Sequence, residues 1–472
     1  MIVYIGNRCH FQLDADAGDA MSRQTTTTMT LHTAVPAPAS NCASRTIARL
    51  RTAACTGVLT LAATLAGAAP APAFPGAQGW AAQTPGGRGG RIVRVTTLSL
   101  AGPGSITEAL QAQGPRIVVF EVGGVIDLGG QTIKLTEPLV TIAGQTAPSP
   151  GITFIRGGFD ILTHDVIVQH VRVRPGEAGF AKRSGHDFDA ISTVGGRDVI
   201  VDHCSLTWAT DENLSASGPR FTGAGPDEWR QGTSHRITFS NNIIAEGLAD
   251  ATHAKGEHSK GSLIHDNVTD VLIVGNLYAH EWERSPLFKG GARGMVINNL
   301  IYDPGPRALH YNLIAEEWGD HPRQTGRVVA IGNVLREGPS TPEPLAFMMI
   351  GGSGDLEWHA EDNIAVDRIG RPIAQFGRYT TAPVQVIEIP RPEMPFGVAV
   401  MPAVEVQDSV IRNAGARPWD RDAVDARIVA NVIEGRGGVI DSEQDVGGYP
   451  AYPETRSPFD PAAWNLEDMT RR

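Results

Sequence analysis

The chain is short of positive charge, aromatic rings and cysteine, and each shortage excludes something. It has 40 Lys and Arg against 51 Asp and Glu, a formal net charge of −11. The first 73 residues hold five arginines and three aspartates, so the remainder carries about −13. A body this acidic is unsuited to general nucleic-acid binding, which rests on cations meeting phosphates. A polyanionic ligand is still allowed, because a bound cation and a local basic patch can reverse the field. The four cysteines are Cys9, Cys42, Cys55 and Cys204, three of them near the N-terminus. A processed body would keep only Cys204, so neither an internal disulfide nor a thiolate zinc site is available to it. Cys204 then reads as a small buried apolar residue. Beyond the N-terminal segment there is no run of 18 clean apolar residues, so no membrane span is expected there. Aromatics are only 6%, while Gly (54) and Pro (32) are abundant, which suits many short strands joined by turns.

Arg45, Arg49 and Arg51 precede an apolar, small-residue stretch from Ala53 to Ala69, and Ala71-Pro72-Ala73 offers a small-x-small cleavage site. That order reads as a secretory signal. We therefore expect residues 1–73 to be leader, with an exported domain starting near Phe74, either extracellular or periplasmic. The long stretch before Arg45 is unusual for a signal, and Met21 or Met29 are alternative starts.

Short β-branched runs recur through the body. They include Ile117–Phe120, Val166–Val168, Val199–Val201, Ile237–Phe239, Val271–Val274, Met295–Ile297, Val328–Ile331 and Ile428-Val429. Many are followed at once by His170, His203, Asn241, Asn276, Asn298, Asn333 or Asn431, mostly at spacings of 23 to 39 residues. A strand followed by a turn residue at this period predicts stacked coils, an all-β single-stranded right-handed parallel β-helix. Asn at one corner of successive coils can hydrogen-bond along the stack. A propeller or sandwich explains the strand-then-Asn recurrence less well, and no long 3.6-residue period supports α/β alternation. Ser105-Ile106-Thr107-Glu108 reads as a capping box that starts an amphipathic helix, placed to cover the N-terminal end of the solenoid. A second short helix is expected near Asp420 to Arg427, and the proline-rich region from about 380 to 420 as an extended segment. The domain spans 74–450, with 451–472 as a tail.

Four clusters can carry chemistry. Asp187-Phe188-Asp189-Ala190-Ile191, read as a strand, puts Asp187 and Asp189 on one face, where two carboxylates repel unless a cation intervenes. Alone they read equally well as solvated loop acids. Asp202-His203-Cys204-Ser205-Leu206 is followed by Asp211 and Glu212; Asp202 and His203 fit corner residues bonded within the stack. Lys260, in His258-Ser259-Lys260, is either an exposed charge or a cation aimed at a carboxylate. Arg284-Ser285-Pro286-Leu287-Phe288-Lys289 places two cations around a proline-fixed turn, just before Asn298-Asn299.

In this order the clusters resemble the pectate lyases of polysaccharide lyase family 1. The family pattern has Asp-x-Asp-Ala-Ile, then Asp-His-Cys-Ser-Leu with an acid soon after, a lysine, and Arg-x-Pro-x-x-Arg before Asn-Asn. The likeness spans 74 to about 450 and is specific over 187–299. It implies a secreted lyase that cleaves α-1,4-galacturonan by β-elimination. It also implies Ca2+ held by Asp187, Asp189 and Asp211, Arg284 as the base at C5, Lys260 as a second catalytic cation, and Lys289 on a substrate carboxylate. Two positions depart from the pattern. Lys289 stands where the family has Arg, so the planar fork is lost. Ser215 stands where a second calcium-binding acid is common, with Glu212 as a possible substitute.

Polygalacturonate is the expected partner of a monomer, with no nucleic acid and no membrane. A guanidinium base is awkward because it stays protonated at ordinary pH. Nearby cations would lower its pKa and give an alkaline optimum. Three rivals remain: a pectin lyase working without metal, a non-catalytic glycan-binding β-helix, and a polygalacturonase-like hydrolase. The hydrolase needs paired carboxylates and leaves Lys260 and Arg284 without a role.

Overall fold

The computed structural model describes residues 71–472 apart from residue 259, and two short strands, Val3–Ile5 and Arg8–His10, paired antiparallel in a unit of their own. The expected signal segment from Ala53 to Ala69 lies outside the described residues.

The body is a right-handed parallel β-helix, whose coils visit three sheets of eleven, ten and nine strands in turn. One coil runs His164–Gln169, Val171–Arg174 and Ile191–Val194; the next runs Arg197–Asp202, Ser205–Thr207 and Leu214–Ser217. Equivalent positions stack in register. Val168, Val201, Phe239, Ile273, Val296 and Ala330 form one inward file across six coils. All six are buried in the main apolar core. β-Branched residues at alternate positions suit such strands, since each inward side chain packs on its copies above and below. The runs from Ile117–Phe120 to Val328–Ile331 therefore all fall in the eleven-stranded sheet.

The corner after that sheet carries an amide ladder, but one residue later than expected in two coils. The rungs are Asn242, Asn276, Asn299, Asn333 and Asn363, the first four each donating the side-chain amide to the side-chain carbonyl oxygen of the next at 2.9–3.0 Å. Asn241 and Asn298 sit instead at the corner position with φ of 54° and 52°. In other coils that left-handed position is filled by Gly275 and Gly332, at no steric cost.

Helix α1, Ile106–Gln111, covers the N-terminal end as expected, burying Ile106, Ala109 and Leu110 against the core. Ser105 Oγ accepts from the Glu108 amide, whereas the Glu108 carboxylate reaches past Ser105 to the Gly104 amide. Buried Arg116 donates to the Ala109 and Leu110 carbonyls, satisfying acceptors that the helix C-terminus leaves open.

Two expectations fail towards the C-terminus. The region expected as extended contains α2, Ala403–Asn413. Its Ala403, Val406 and Val410 recur at helical spacing and bury against the solenoid. Ile428-Val429, read as a strand, lies inside α3, Ala423–Glu434. Asp422 caps that helix by accepting from the Asp425 amide, and Val424, Ile428 and Val432 form its inner face. The second expected helix thus exists but runs longer. Arg172 and Arg174, both fully buried, fasten α3 to the coils through Asp422 and Asp425 at 2.7–3.2 Å. Past Tyr449, Thr455-Arg456 adds an antiparallel strand to the edge of the ten-stranded sheet, beside Val122-Gly123.

Asn299→Ala removes the acceptor of the Asn276 amide and side chain. Leaving buried donors unsatisfied costs about 1–3 kcal/mol. Thermal denaturation is expected to show a lowered midpoint with unchanged far-ultraviolet dichroism; an unchanged midpoint would mean the ladder contributes no stability.

Candidate active site

The ten-stranded and nine-stranded sheets are joined by loops of unequal length, and these loops converge. Five site strands follow them: β1 Ile191–Val194, β2 Leu214–Ser217, β3 Leu263-Ile264, β4 Leu287–Lys289 and β5 Leu309–Leu313. Each candidate residue except Lys289 lies in the loop that leads into one of these strands.

Asp187 and Asp189 are not on a strand as expected; they lie in the loop that ends at β1. That loop is pinned at Phe188, whose amide donates to Thr210 Oγ1 at 2.9 Å. Coil stacking continues through the loops as a backbone ladder. The Ala190 amide donates to the Glu212 carbonyl, the Asn213 amide to Lys260, the Gly261 amide to Glu283, and the Ser262 amide to Arg284. Glu212 pairs with Lys260 and Glu283 with Arg307 as parallel bridges. Acids and cations on successive coils are thereby held one strand spacing apart, about 4.8 Å.

Carboxylate oxygens of Asp189, Asp211 and Glu212 all lie within 4.8 Å of one another. Asp189 also accepts from the Glu212 amide at 2.9 Å. Asp187 is the outlying member, solvent-exposed. Burial, then the charges of Asp211, Asp160 and Asp187, push the Asp189 carboxyl well above its ordinary range. Partial desolvation of its carboxylate, then the Asp211 charge, raise Asp187 too. Burial also works to raise Asp211, but its close contact with His258 and the charges of His258, Arg284 and His253 hold it down to about 2.

Arg284 is 8% exposed, has φ of 65°, and ion-pairs with Glu212. Burial lowers its pKa, while Asp211 and Asp189 oppose the shift. The adjoining Glu212 carboxylate acts in the same sense as those acids. Lys260 Nζ meets Glu283 Oε2 at 2.9 Å. Burial, and then the charge of Arg307, lower the ammonium to about 8. Lys289 closes β4 and is buried, its partners being Asp266 at 3.5 Å and Glu317.

Sequence reading did not single out Glu283, Arg307, Tyr379 or His253. Glu283 holds both Lys260 and Arg307, and Arg307 lies over the Tyr379 ring at 4.8 Å. The only local signal was the acid beside Arg284; Arg307 and Tyr379 come from later coils.

Curated relatives settle the family. A probable pectate lyase C of Emericella nidulans is 31% identical over 388 residues, covering 80% of this chain and 80% of that one. The chain belongs to the pectate lyase family. Another probable pectate lyase C, from Aspergillus fumigatus, is 32% identical over 388 residues, with 80% and 81% covered. One from Aspergillus terreus is 36% identical over 270 residues, covering 57% of this chain and 55% of that relative. No family model matches the chain. As a member of the pectate lyase family the protein is a polysaccharide lyase.

Raised carboxyl pKa values have a stability consequence. Protonated Asp187 and Asp189 cost nothing below about 3.8, their ordinary value; as pH rises, ionising them works increasingly against the native state. The lowered Asp211 contributes the opposite trend, but only between about 2 and 3.8. A divalent cation is therefore expected to raise the melting temperature more at pH 8 than at pH 5, measured by scanning fluorimetry against a chelator control. Equal shifts at both pH values would separate the cation from these acids.

Proposed function

We propose that the protein is a secreted pectate lyase that cleaves α-1,4-galacturonan by calcium-assisted β-elimination, giving unsaturated oligogalacturonides. One observation carries the reading: carboxylates of Asp189, Asp211 and Glu212 converge on coils adjoining those of Lys260 and Arg284. The residues fit a hard cation. Asp211 Oδ1 is buried without a hydrogen bond, and the repulsion that adds to burial in raising Asp189 is what a dication relieves. Asp187, Asp189 and Asp211 would hold calcium, with Glu212 in reach. When bound, calcium neutralises the substrate carboxylate beside C5 and so makes the C5 proton easier to remove.

The chain's own residues do the rest. Lys260, held in place by Glu283, presents a second positive charge to the uronate. Arg284 takes the C5 proton; the C5–H electrons form the C4–C5 double bond, and the glycosidic C4–O bond breaks, its oxygen leaving with the electron pair and taking a proton from solvent, to which Arg284 returns the one it removed. No water and no nucleophile is consumed. Arg284 must first be neutral, and burial moves its pKa in that direction. Lys289, bound to Asp266 and Glu317, sets the local potential or engages a further uronate. Secretion follows from the basic-then-apolar leader ending at Ala71-Pro72-Ala73.

Arg284→Ala is expected to lower formation of ultraviolet-absorbing unsaturated product on polygalacturonate by at least about 1,000-fold, within the range such a proton-transfer group supplies. The fold should be intact by circular dichroism, and near wild-type turnover would remove Arg284 from the role of base. Stripping divalent cations with a chelator is expected to abolish product formation, and added Ca2+ to restore it. Full activity in chelator would point instead to a metal-free lyase acting on esterified pectin.

A further inference from the structure

The acid cluster has a neighbour that the calcium reading does not use. His258 is 8% exposed, and its Nε2 stands 3.1 Å from Asp211 Oδ1. The two atoms are close enough to interact, yet both are buried and neither is satisfied with hydrogen-bond geometry. A nitrogen and an oxygen bound side by side on one transition-metal ion, at bond lengths of about 2.0–2.2 Å, are separated by roughly 3.0–3.4 Å. Asp211 belongs at once to the oxygen set with Asp189 and Glu212 and to a nitrogen-bearing set with His253 and His258.

The two imidazoles are not equivalent. His253 stacks on His258 with centroids 3.9 Å apart and takes the Lys255 amide on Nδ1 at 3.0 Å. Accepting there puts its proton on Nε2, which faces Asp211 Oδ2 at 4.0 Å. His253 thus supports the neighbouring ring from behind and is not itself ready to ligate. His258 Nε2 is the free donor.

We infer that His258 supplies a nitrogen ligand to the cation site built on Asp189, Asp211 and Glu212, so that this site takes a borderline first-row divalent ion such as Ni2+ or Zn2+ more tightly than Ca2+. Calcium seeks an all-oxygen shell of six to eight donors. An imidazole in a small carboxylate set favours first-row divalent ions, rising along the series towards nickel and zinc. The inference rests on the reading of the acid cluster as a cation site, but not on calcium being the ion that assists elimination.

The test is calorimetric titration of the metal-stripped full-length protein with CaCl2, MnCl2, NiCl2 and ZnCl2, with Co2+ visible absorption as an independent report of ligation. Wild type is expected to bind Ni2+ and Zn2+ at least tenfold more tightly than Ca2+. His258→Ala should lose at least tenfold in Ni2+ affinity, while Ca2+ affinity moves less than threefold. His258→Gln keeps side-chain bulk and an oxygen donor but no imidazole. It should show the same loss, and it decides the matter if the alanine variant fails to fold by circular dichroism. Equal or tighter Ca2+ binding by wild type, or unchanged Ni2+ affinity in both variants, overturns the inference and leaves the calcium reading standing. Absence of binding by any of the four ions overturns both.

Discussion

Parallel stacking of one coil on the next, in register and one strand spacing apart, is the constraint from which the rest of the molecule follows. It turns sequence neighbours 23 to 39 residues apart into spatial neighbours. Inside, it aligns Val168 with its counterparts on five further coils, so each apolar side chain is buried against its copies above and below. At the corner it lines up the Asn rungs, whose amides satisfy one another where the backbone turns. The same spacing continues into the loops, where it does chemical rather than structural work.

A site made this way differs from one carried on a single loop. Glu212 reaches Arg284 because residue 212 bridges residue 260, and the Ser262 amide bonds the Arg284 carbonyl. From Glu212 onward acids and cations alternate along the stack, through Lys260, Glu283 and Arg307, and each cation is paired with a carboxylate. Buried ion pairs of this kind contribute little net stability, whereas losing one partner costs about 3–5 kcal/mol because the other charge is stranded. The arrangement therefore holds charged groups in fixed places in a low-dielectric corner. That is what stabilisation of a developing negative charge requires. The C-terminal clasp of Arg172 and Arg174 on Asp422 and Asp425 uses the same physics for a purely architectural end.

Much of this was legible beforehand, for identifiable reasons. The β-helix was readable because each coil repeats a β-branched run and a turn residue, and local sequence is all that a coil needs. The capping helix was readable from Ser105 and Glu108. Helix α2 is hidden by the prolines up to Pro402, whereas α3 is legible near Asp420 to Arg427 and only its extension to Glu434 is missed, because the β-branched Ile428-Val429 pair imitates a strand. In α3 the Asp422 cap and the spacing of Val424, Ile428 and Val432 outweighed β propensity. A period-2 reading that starts at Asp187 begins four residues before the strand does at Ile191, which puts Asp187 and Asp189 on a strand instead of in the loop before it.

The amino-acid sequence by itself determined the coil, its period, the identity of the charged residues and their family pattern, because those properties depend on residues close together in the chain. Tertiary structure alone decided which charges meet: that Glu212 holds Arg284, that Glu283 is shared by Lys260 and Arg307, and that His258 faces Asp211. The physical reason is that these pairings depend on how many residues each loop inserts between stacked strands. That length sets which side chains arrive at the same height along the solenoid, and nothing local to either partner records it.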